Sequence, residues 1–165
     1  MVLLKTKPPY RDTAVPADKT QIAITTLLRK YGVSQVRWES DFALDQVKLD
    51  FVIEYDKDGQ LHRIAVRVIP PMFISEREEK TWDSVRGRWK RNVKEGANWA
   101  QSMRMLYYWI KAKLEAVSFG LNSVEKEFLS DILTTLPDGS QRTIWDMVSE
   151  QMKDQVLSLE YKGRV

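Results

Sequence analysis

The 165-residue chain has no cysteine, a single histidine and no long apolar run. Without cysteine, a disulfide scaffold, a thiol nucleophile and a thiolate zinc site are all excluded. With one histidine, a histidine metal cluster is excluded too; His62, at the start of an expected strand, reads as a structural residue rather than a general base. No N-terminal run has the apolar character of a signal peptide, which points to a cytoplasmic chain with no membrane partner. The seven glycines are scattered, so no glycine-rich phosphate loop exists, and no serine sits in a Gly-x-Ser-x-Gly elbow. Asp56 and Asp58 flank a turn that lacks the remaining ligands of a calcium loop. The expectation is a protein without catalytic residues, metal or cofactor.

The composition, 43% apolar and 30% charged, is that of a chain with one packed core. At this length a domain buries roughly 70% of the surface that its unfolded chain exposes, enough to stand without disulfides or metal. The net charge of +3 conceals a segregation: residues 82–113 hold eight basic and two acidic side chains, and four of the six tryptophans. The basic residues are Arg86, Arg88, Lys90, Arg91, Lys94, Arg104, Lys111 and Lys113; the tryptophans are Trp82, Trp89, Trp99 and Trp109. Cations interleaved with aromatics suit a phosphate backbone with exposed bases. A long amphipathic helix with tryptophans turned to the core would show the same interleaving.

Residues 1–17, with Pro8, Pro9 and Pro16 and no apolar period, read as an extended arm ahead of a single domain over residues 18–165. Asp18 with Gln21 resembles a capping box for a helix carrying Ile24, Leu27, Leu28 and Tyr31 and ending at Gly32. Val36 and Trp38 mark a first strand. Val47, Leu49, Phe51, Ile53 and Tyr55 then alternate with polar residues, and Ile64, Val66 and Val68 do so after Asp56-Lys57-Asp58-Gly59, which predicts a hairpin and, with the first strand, a meander. Pro70-Pro71 closes it. Trp99, Met103, Leu106, Ile110, Leu114 and Val117 lie on one helical stripe that ends at Gly120. Trp82, Val85, Trp89 and Val93 extend that spacing backwards, although Gly87 and Gly96 interrupt it. Ser123 and the Thr143–Asp146 pair cap further helices. The expected fold is α+β, in the order α-βββ-α-α-α: a helix, a three-stranded antiparallel meander, a long basic helix and two or three further helices. The helices cover one face of the sheet. Lys48, Asp50, Glu54, Arg63 and Arg67 on the other face are expected to form cross-strand ion pairs.

A helix followed by a meander is also how restriction-endonuclease-like folds begin, and that chemistry can be checked. It needs an acid on the second strand and an acid-x-lysine pair on the third. Asp50 could be the first, but Ile64-Ala65-Val66-Arg67-Val68 carries no carboxylate. Asp50 and Glu54 are about 13 Å apart along a strand, too far to share an ion.

Lys111-Ala112-Lys113-Leu114-Glu115-Ala116-Val117, Gly120, Glu125-Lys126-Glu127-Phe128-Leu129, Leu136-Pro137-Asp138-Gly139 and Thr143-Ile144 together resemble the signature of a family of small proteins encoded by tailed bacteriophages and related mobile elements. The similarity spans roughly residues 17–148. It implies a phage or mobile-element origin and action in the host cytoplasm, often among genes for DNA replication or recombination, and it implies no catalytic residue.

Two functional expectations follow. The first is a non-enzymatic accessory protein that binds nucleic acid, single-stranded DNA above all, with Arg86, Arg88, Lys90, Arg91 and Lys94 capturing phosphates and Trp82 or Trp89 stacking on bases. Arg104, Tyr108 and Lys111 would extend the track. Neutralising six phosphates gives a logarithmic salt slope of roughly −4 for a single strand. The second is a module that binds and modulates a host or phage enzyme, with the basic segment and the acidic C-terminal part able to drive homo-oligomer formation.

Overall fold

The computed structural model of the chain describes residues 9–41 and 43–162, with the backbone alone over 77–79, 94 and 154–162. Its elements are α1 (Ala17–Lys30), β1 (Val33–Asp41), β2 (Gln46–Lys57), β3 (Gln60–Val68), β4 (Ile74–Asp83), β5 (Arg88–Ala97), α2 (Trp99–Ser118), α3 (Val124–Glu127), β6 (Leu133–Thr135), β7 (Gln141–Thr143) and α4 (Ile144–Lys162). The α+β class, the N-terminal helix and the antiparallel meander are as expected, with β1-β2-β3 forming one sheet.

The period-2 pattern of β2 builds the core. Leu49, Phe51 and Ile53 are buried on one face beside Val66 and Val68 of β3, and α1 and α2 cover that face with Ile24, Leu28, Met103, Leu106, Ile110 and Leu114. Phe128, fully buried after α3, meets Phe51 edge to face at 5.8 Å between ring centroids. Trp38 ties β1 to α1 by donating from Nε1 to Thr25 Oγ1 at 3.1 Å. The β2–β3 turn is two residues, Asp58 and Gly59, at φ 55° and 77°. Two positive φ angles make a type I′ turn, whose twist matches that of the strands. Asp56 Oδ1 accepts from the Gly59 N–H at 3.2 Å and completes it.

The helix expected from the Trp99–Val117 stripe forms as α2, but its basic extension backwards does not: residues 74–97 are instead a two-stranded antiparallel ribbon, β4–β5, and the helix begins only at Trp99. Trp82 and Trp89 are seven apart, which fits one helical stripe, but they also lie symmetrically about a turn. Asp83 pairs with Arg88, Asp83 Oδ1 accepts from the N–H groups of Val85 and Arg86 at 3.1 and 3.2 Å, and Gly87 takes φ 59°. A positive φ at Gly87 disfavours a helix and favours reversal. The four-residue turn then brings Trp82 opposite Trp89.

Three smaller differences follow from local chemistry. The first helix starts at Ala17 with Pro16 as N-cap and no side-chain cap, so Asp18 stabilises the first turn by its charge instead of closing it. Ser123 does cap α3, accepting from the Lys126 N–H at 3.4 Å, but that helix is one turn long, and the chain soon turns into strand β6. Ile132, just ahead of β6, makes an isolated antiparallel bridge to Val66 of the edge strand β3. The Thr143–Asp146 cap of α4 is present and reciprocal: the Thr143 N–H and hydroxyl donate to Asp146 Oδ2 at 3.2 and 2.7 Å, and the Asp146 N–H donates to Thr143 Oγ1 at 3.2 Å. Of the extended arm, residues 1–8 lie outside the described residues; residues 9–12 form turns held against the start of α2 by Asn98 and Gln101, and Ala17 already belongs to α1. No helix among the described residues is long and apolar enough to cross a membrane.

Candidate nucleic-acid interface

Ten-residue strands rising about 3.4 Å per residue make β4–β5 a ribbon roughly 30 Å long. A lone two-stranded ribbon is marginally stable in water, so its base must be anchored. Ile74 pairs with Ala97 there, and the Asn98 N–H donates to Phe73 O at 2.7 Å. Toward the tip the tryptophans pack on each other edge to face, 5.4 Å between centroids at 69°, yet Trp82 stays 54% exposed and Trp89 65%. Each therefore keeps much of its ring surface in solvent.

Residues directly opposite in an antiparallel pair share a face, as do residues two apart along a strand. The face that carries Trp82 and Trp89 thus continues with Lys80 opposite Arg91, Glu78 opposite Val93, and Glu76 opposite Glu95. Lys80, Arg91 and Trp89 line one shallow cleft. Arg86 is exposed in the turn; Arg88 and Lys90 stand on the reverse face, opposite Asp83 and Thr81. Asn92 Nδ2 donates to Thr81 Oγ1 at 2.7 Å and braces that reverse face. Lys94 lies opposite Arg77 in register. Seven of the predicted binding residues are therefore brought onto one ribbon: Trp82, Arg86, Arg88, Trp89, Lys90, Arg91 and Lys94.

Arg104, Tyr108 and Lys111 lie on α2, apart from the ribbon in element, and each has a contact of its own. Arg104 lies over the rings of Tyr107 and Tyr108, 5.4 and 5.1 Å from their centroids, and donates to Tyr108 Oη at 3.2 Å. Tyr10 stacks on Tyr108, 5.0 Å between centroids at 11°. Lys111 pairs with Glu115 at 3.6 Å. Lys113, from the same basic segment, holds α3: it donates to the Glu127 carbonyl, pairs with the Glu127 carboxylate at 3.6 Å and lies 4.6 Å from the Trp109 ring centroid.

Sequence reasoning missed the residues that seat the ribbon. Asn98, 8% exposed, caps α2 by accepting from the Gln101 N–H at 3.2 Å, and donates from Nδ2 to Arg11 O at 3.2 Å. Gln101, 2% exposed, donates from Nε2 to Pro9 O at 2.8 Å. Two buried amides thus satisfy themselves on the backbone of the N-terminal segment, at the point where β5 becomes α2. The available signal was Asn98 itself, a strong N-cap residue immediately ahead of the apolar stripe.

The remaining polar groups are used within the fold. Asp50 receives Arg67 at 2.8 Å and Arg37 at 2.5 Å. Burial pushes its carboxyl up, and the two guanidiniums together outweigh that and hold it below the usual carboxylate value. Glu54 receives Arg63 at 3.0 Å and the Ser34 hydroxyl at 3.2 Å. Both acids of the failed nuclease pattern are therefore engaged in the ion pairs expected of that face. Burial raises the Asp131 carboxyl against the lowering by the Ser130 hydroxyl, whose bond to it is 2.9 Å. Glu125 is held down to about 2 by its own backbone N–H, then by Lys57 at 3.0 Å and by Ser123. His62 stacks on Tyr55 at 5.6 Å. Among the described residues no group of three or more His, Cys, Asp or Glu is placed to hold a metal ion.

No protein-family model, no curated protein and no solved structure matches the chain.

Proposed function

We propose that the protein is a non-enzymatic accessory factor that binds single-stranded nucleic acid through the tip of the β4–β5 ribbon, in the cytoplasm of a host cell, as the resemblance to phage and mobile-element proteins implies. The observation that carries this reading is the exposed Trp82–Trp89 pair next to the Lys80–Arg91 rung on the same face. A ring with an open face stacks on any base, worth about 1–3 kcal/mol per base, and adjacent cations take the phosphates. Duplex DNA hides its base faces, so the tryptophans give the single strand its advantage. The test is a titration with a labelled single strand, following anisotropy and tryptophan fluorescence at two salt concentrations against a duplex competitor of equal charge. Tight binding with quenching and a preference for the single strand is expected; no binding at low salt overturns the reading.

A second reading, a module that docks on a partner enzyme, draws on α4. Trp145, Val148 and Met152 fall at i, i+3 and i+7 on that helix and are all exposed. Loss of partner capture on Trp145→Ala, with oligonucleotide affinity at background, would favour it.

A further inference from the structure

The β1 strand stands at one edge of the three-stranded sheet, and its charges complement their own reverse order. From this we infer that β1 pairs antiparallel with β1 of a second copy of the chain, about a two-fold axis through Trp38, joining two three-stranded sheets into one of six strands. The inference does not depend on the nucleic-acid reading. β1 pairs with β2 on one side, and among the described residues no strand pairs with its other side, whereas β3 at the far edge receives the bridge from Ile132. An open edge presents a row of backbone N–H and C=O groups to any strand that fits, and edges that must stay single are commonly blunted by proline, lysine or a bulge. The nine residues of β1 contain no proline and no lysine, and the one register shift, between Val33 and Gln35, falls at the start of the strand. Residues 35–41 are left as seven regular positions.

Register selects the axis. Residues opposite one another in an antiparallel pair share a face, so two copies of β1 can be centred only on a residue, never between two. Arg37 and Glu39 lie on the outer face, opposite Asp50 and Lys48 of β2; Val36 and Trp38 lie on the inner face, opposite Phe51 and Leu49. Centred on Arg37, the pairing sets that guanidinium against its own copy. Centred on Glu39, it sets the carboxylate against its own copy, although Arg37 then meets the partner's Asp41. Centred on Ser40 it sets Glu39 against the partner's Asp41, and centred on Val36 it engages only three of the seven positions. Centred on Trp38 it engages all seven. Arg37 then stands against the partner's Glu39 and Glu39 against the partner's Arg37, with Val36 against the partner's Ser40 and Gln35 against the partner's Asp41. Arg37 and Glu39 each have a partner within their own chain, Asp50 at 2.5 Å and Lys48 at 3.1 Å, yet their side chains remain 62% and 47% exposed. The existing pairs therefore extend rather than break. Arg67, Asp50 and Arg37 of one copy run on into the partner's Glu39 and the partner's Lys48, a row of alternating sign. On the inner face Trp38, half-buried and held to Thr25, meets the partner's Trp38 at the axis. Each contact is made twice, as a two-fold interface requires.

An edge of this length is a small interface, so association in the micromolar range is expected. The test is sedimentation velocity of the full chain from about 1 μM to about 500 μM, on the parent and on Arg37→Glu and Glu39→Arg, each alone and mixed in equal amounts. The parent is expected to pass from monomer to dimer across that range, less readily at high salt. Either variant alone sets like charges opposite one another at both charged rungs and is expected to raise the dimer dissociation constant about tenfold or more. In the mixture one chain supplies glutamate at both positions and the other arginine at both, so every charged rung is complementary again. The mixed dimer is expected to recover most of the parent's affinity, and recovery at both rungs is specific to the axis at Trp38. Should either variant misfold, Arg37→Gln and Glu39→Gln take its place, each expected to weaken the dimer several-fold. A parent that stays monomeric throughout leaves the edge to a strand of another protein and overturns the inference. A dimer that no variant weakens overturns it, and so does a mixture of folded variants no more associated than its components.

Discussion

The outer face of the three-stranded sheet and the β4–β5 ribbon are both charged and antiparallel, and they differ in which charges they set opposite one another. On the sheet every charged rung is complementary: Arg37 faces Asp50, Asp50 faces Arg67, Glu39 faces Lys48 and Glu54 faces Arg63. On the ribbon Lys80 stands opposite Arg91 and Glu76 opposite Glu95, while Asp83 stands opposite Arg88. Each like-charge rung forgoes a few tenths of a kcal/mol up to about 1 kcal/mol relative to a complementary one. A surface that only has to be soluble gains nothing from that sacrifice. A surface that receives a charged ligand can gain from it, because like charges gathered at one place raise the local potential that such a ligand meets.

The largest difference between the two regions is expected in stability. Phe51→Ala empties a fully packed site against Phe128 and is expected to cost about 3–5 kcal/mol in urea unfolding, whereas Trp82→Ala at the exposed tip is expected to cost at most about 1 kcal/mol. Comparable losses would mean that the ribbon is part of the core's cooperative unit. In binding the order reverses: replacing Trp82 and Trp89 by Ala removes stacking worth about 1–3 kcal/mol per base, roughly a ten- to hundred-fold loss for each base, with the fold retained.

Smaller still is the effect of breaking the sheet's best-matched pairing. Asp50→Asn leaves Arg37 and Arg67 without their shared carboxylate and is expected to cost about 1–2 kcal/mol at neutral pH, read by urea unfolding. The folded Asp50 carboxyl lies below its ordinary value of 3.8, so its contribution is complete above that value and is lost as pH falls through the lower folded one. The gap in unfolding free energy between parent and variant should therefore close as the pH falls below the ordinary carboxylate value.

The same contrast explains what could be read from the chain beforehand. Strands β2 and β3 were legible because burial of one face imposes strict alternation over Val47–Tyr55 and Ile64–Val68, and Asp58-Gly59 is a turn that chemistry defines. The outer-face ion pairs followed from the same alternation, and α2 from its stripe. Among the described side chains of residues 74–97 none is buried, so no apolar period marks them; what remained, Trp82, Val85, Trp89 and Val93, happens to fit helical spacing. Asp83, Gly87 and the symmetry of the two tryptophans about them were the better signal. For the candidate site, the identities of the ribbon's residues were legible from composition, but their sorting into faces and rungs needed the register. Tyr10 on Tyr108, and Asn98 and Gln101 on the N-terminal backbone, depend on contacts between segments some ninety residues apart in sequence, which no local pattern announces.

The most direct test keeps composition and net charge unchanged and alters only placement. In the double variant Lys80→Glu with Glu76→Lys, an acid stands opposite Arg91 and a base opposite Glu95, so the ribbon acquires the complementary rungs of the sheet. Single-strand affinity, measured by tryptophan quenching beside the parent protein, is expected to fall about tenfold or more while the unfolding midpoint holds or rises slightly. Undiminished affinity in a folded double variant would contradict the account, since the position of the charges, and not their number, is what it holds responsible.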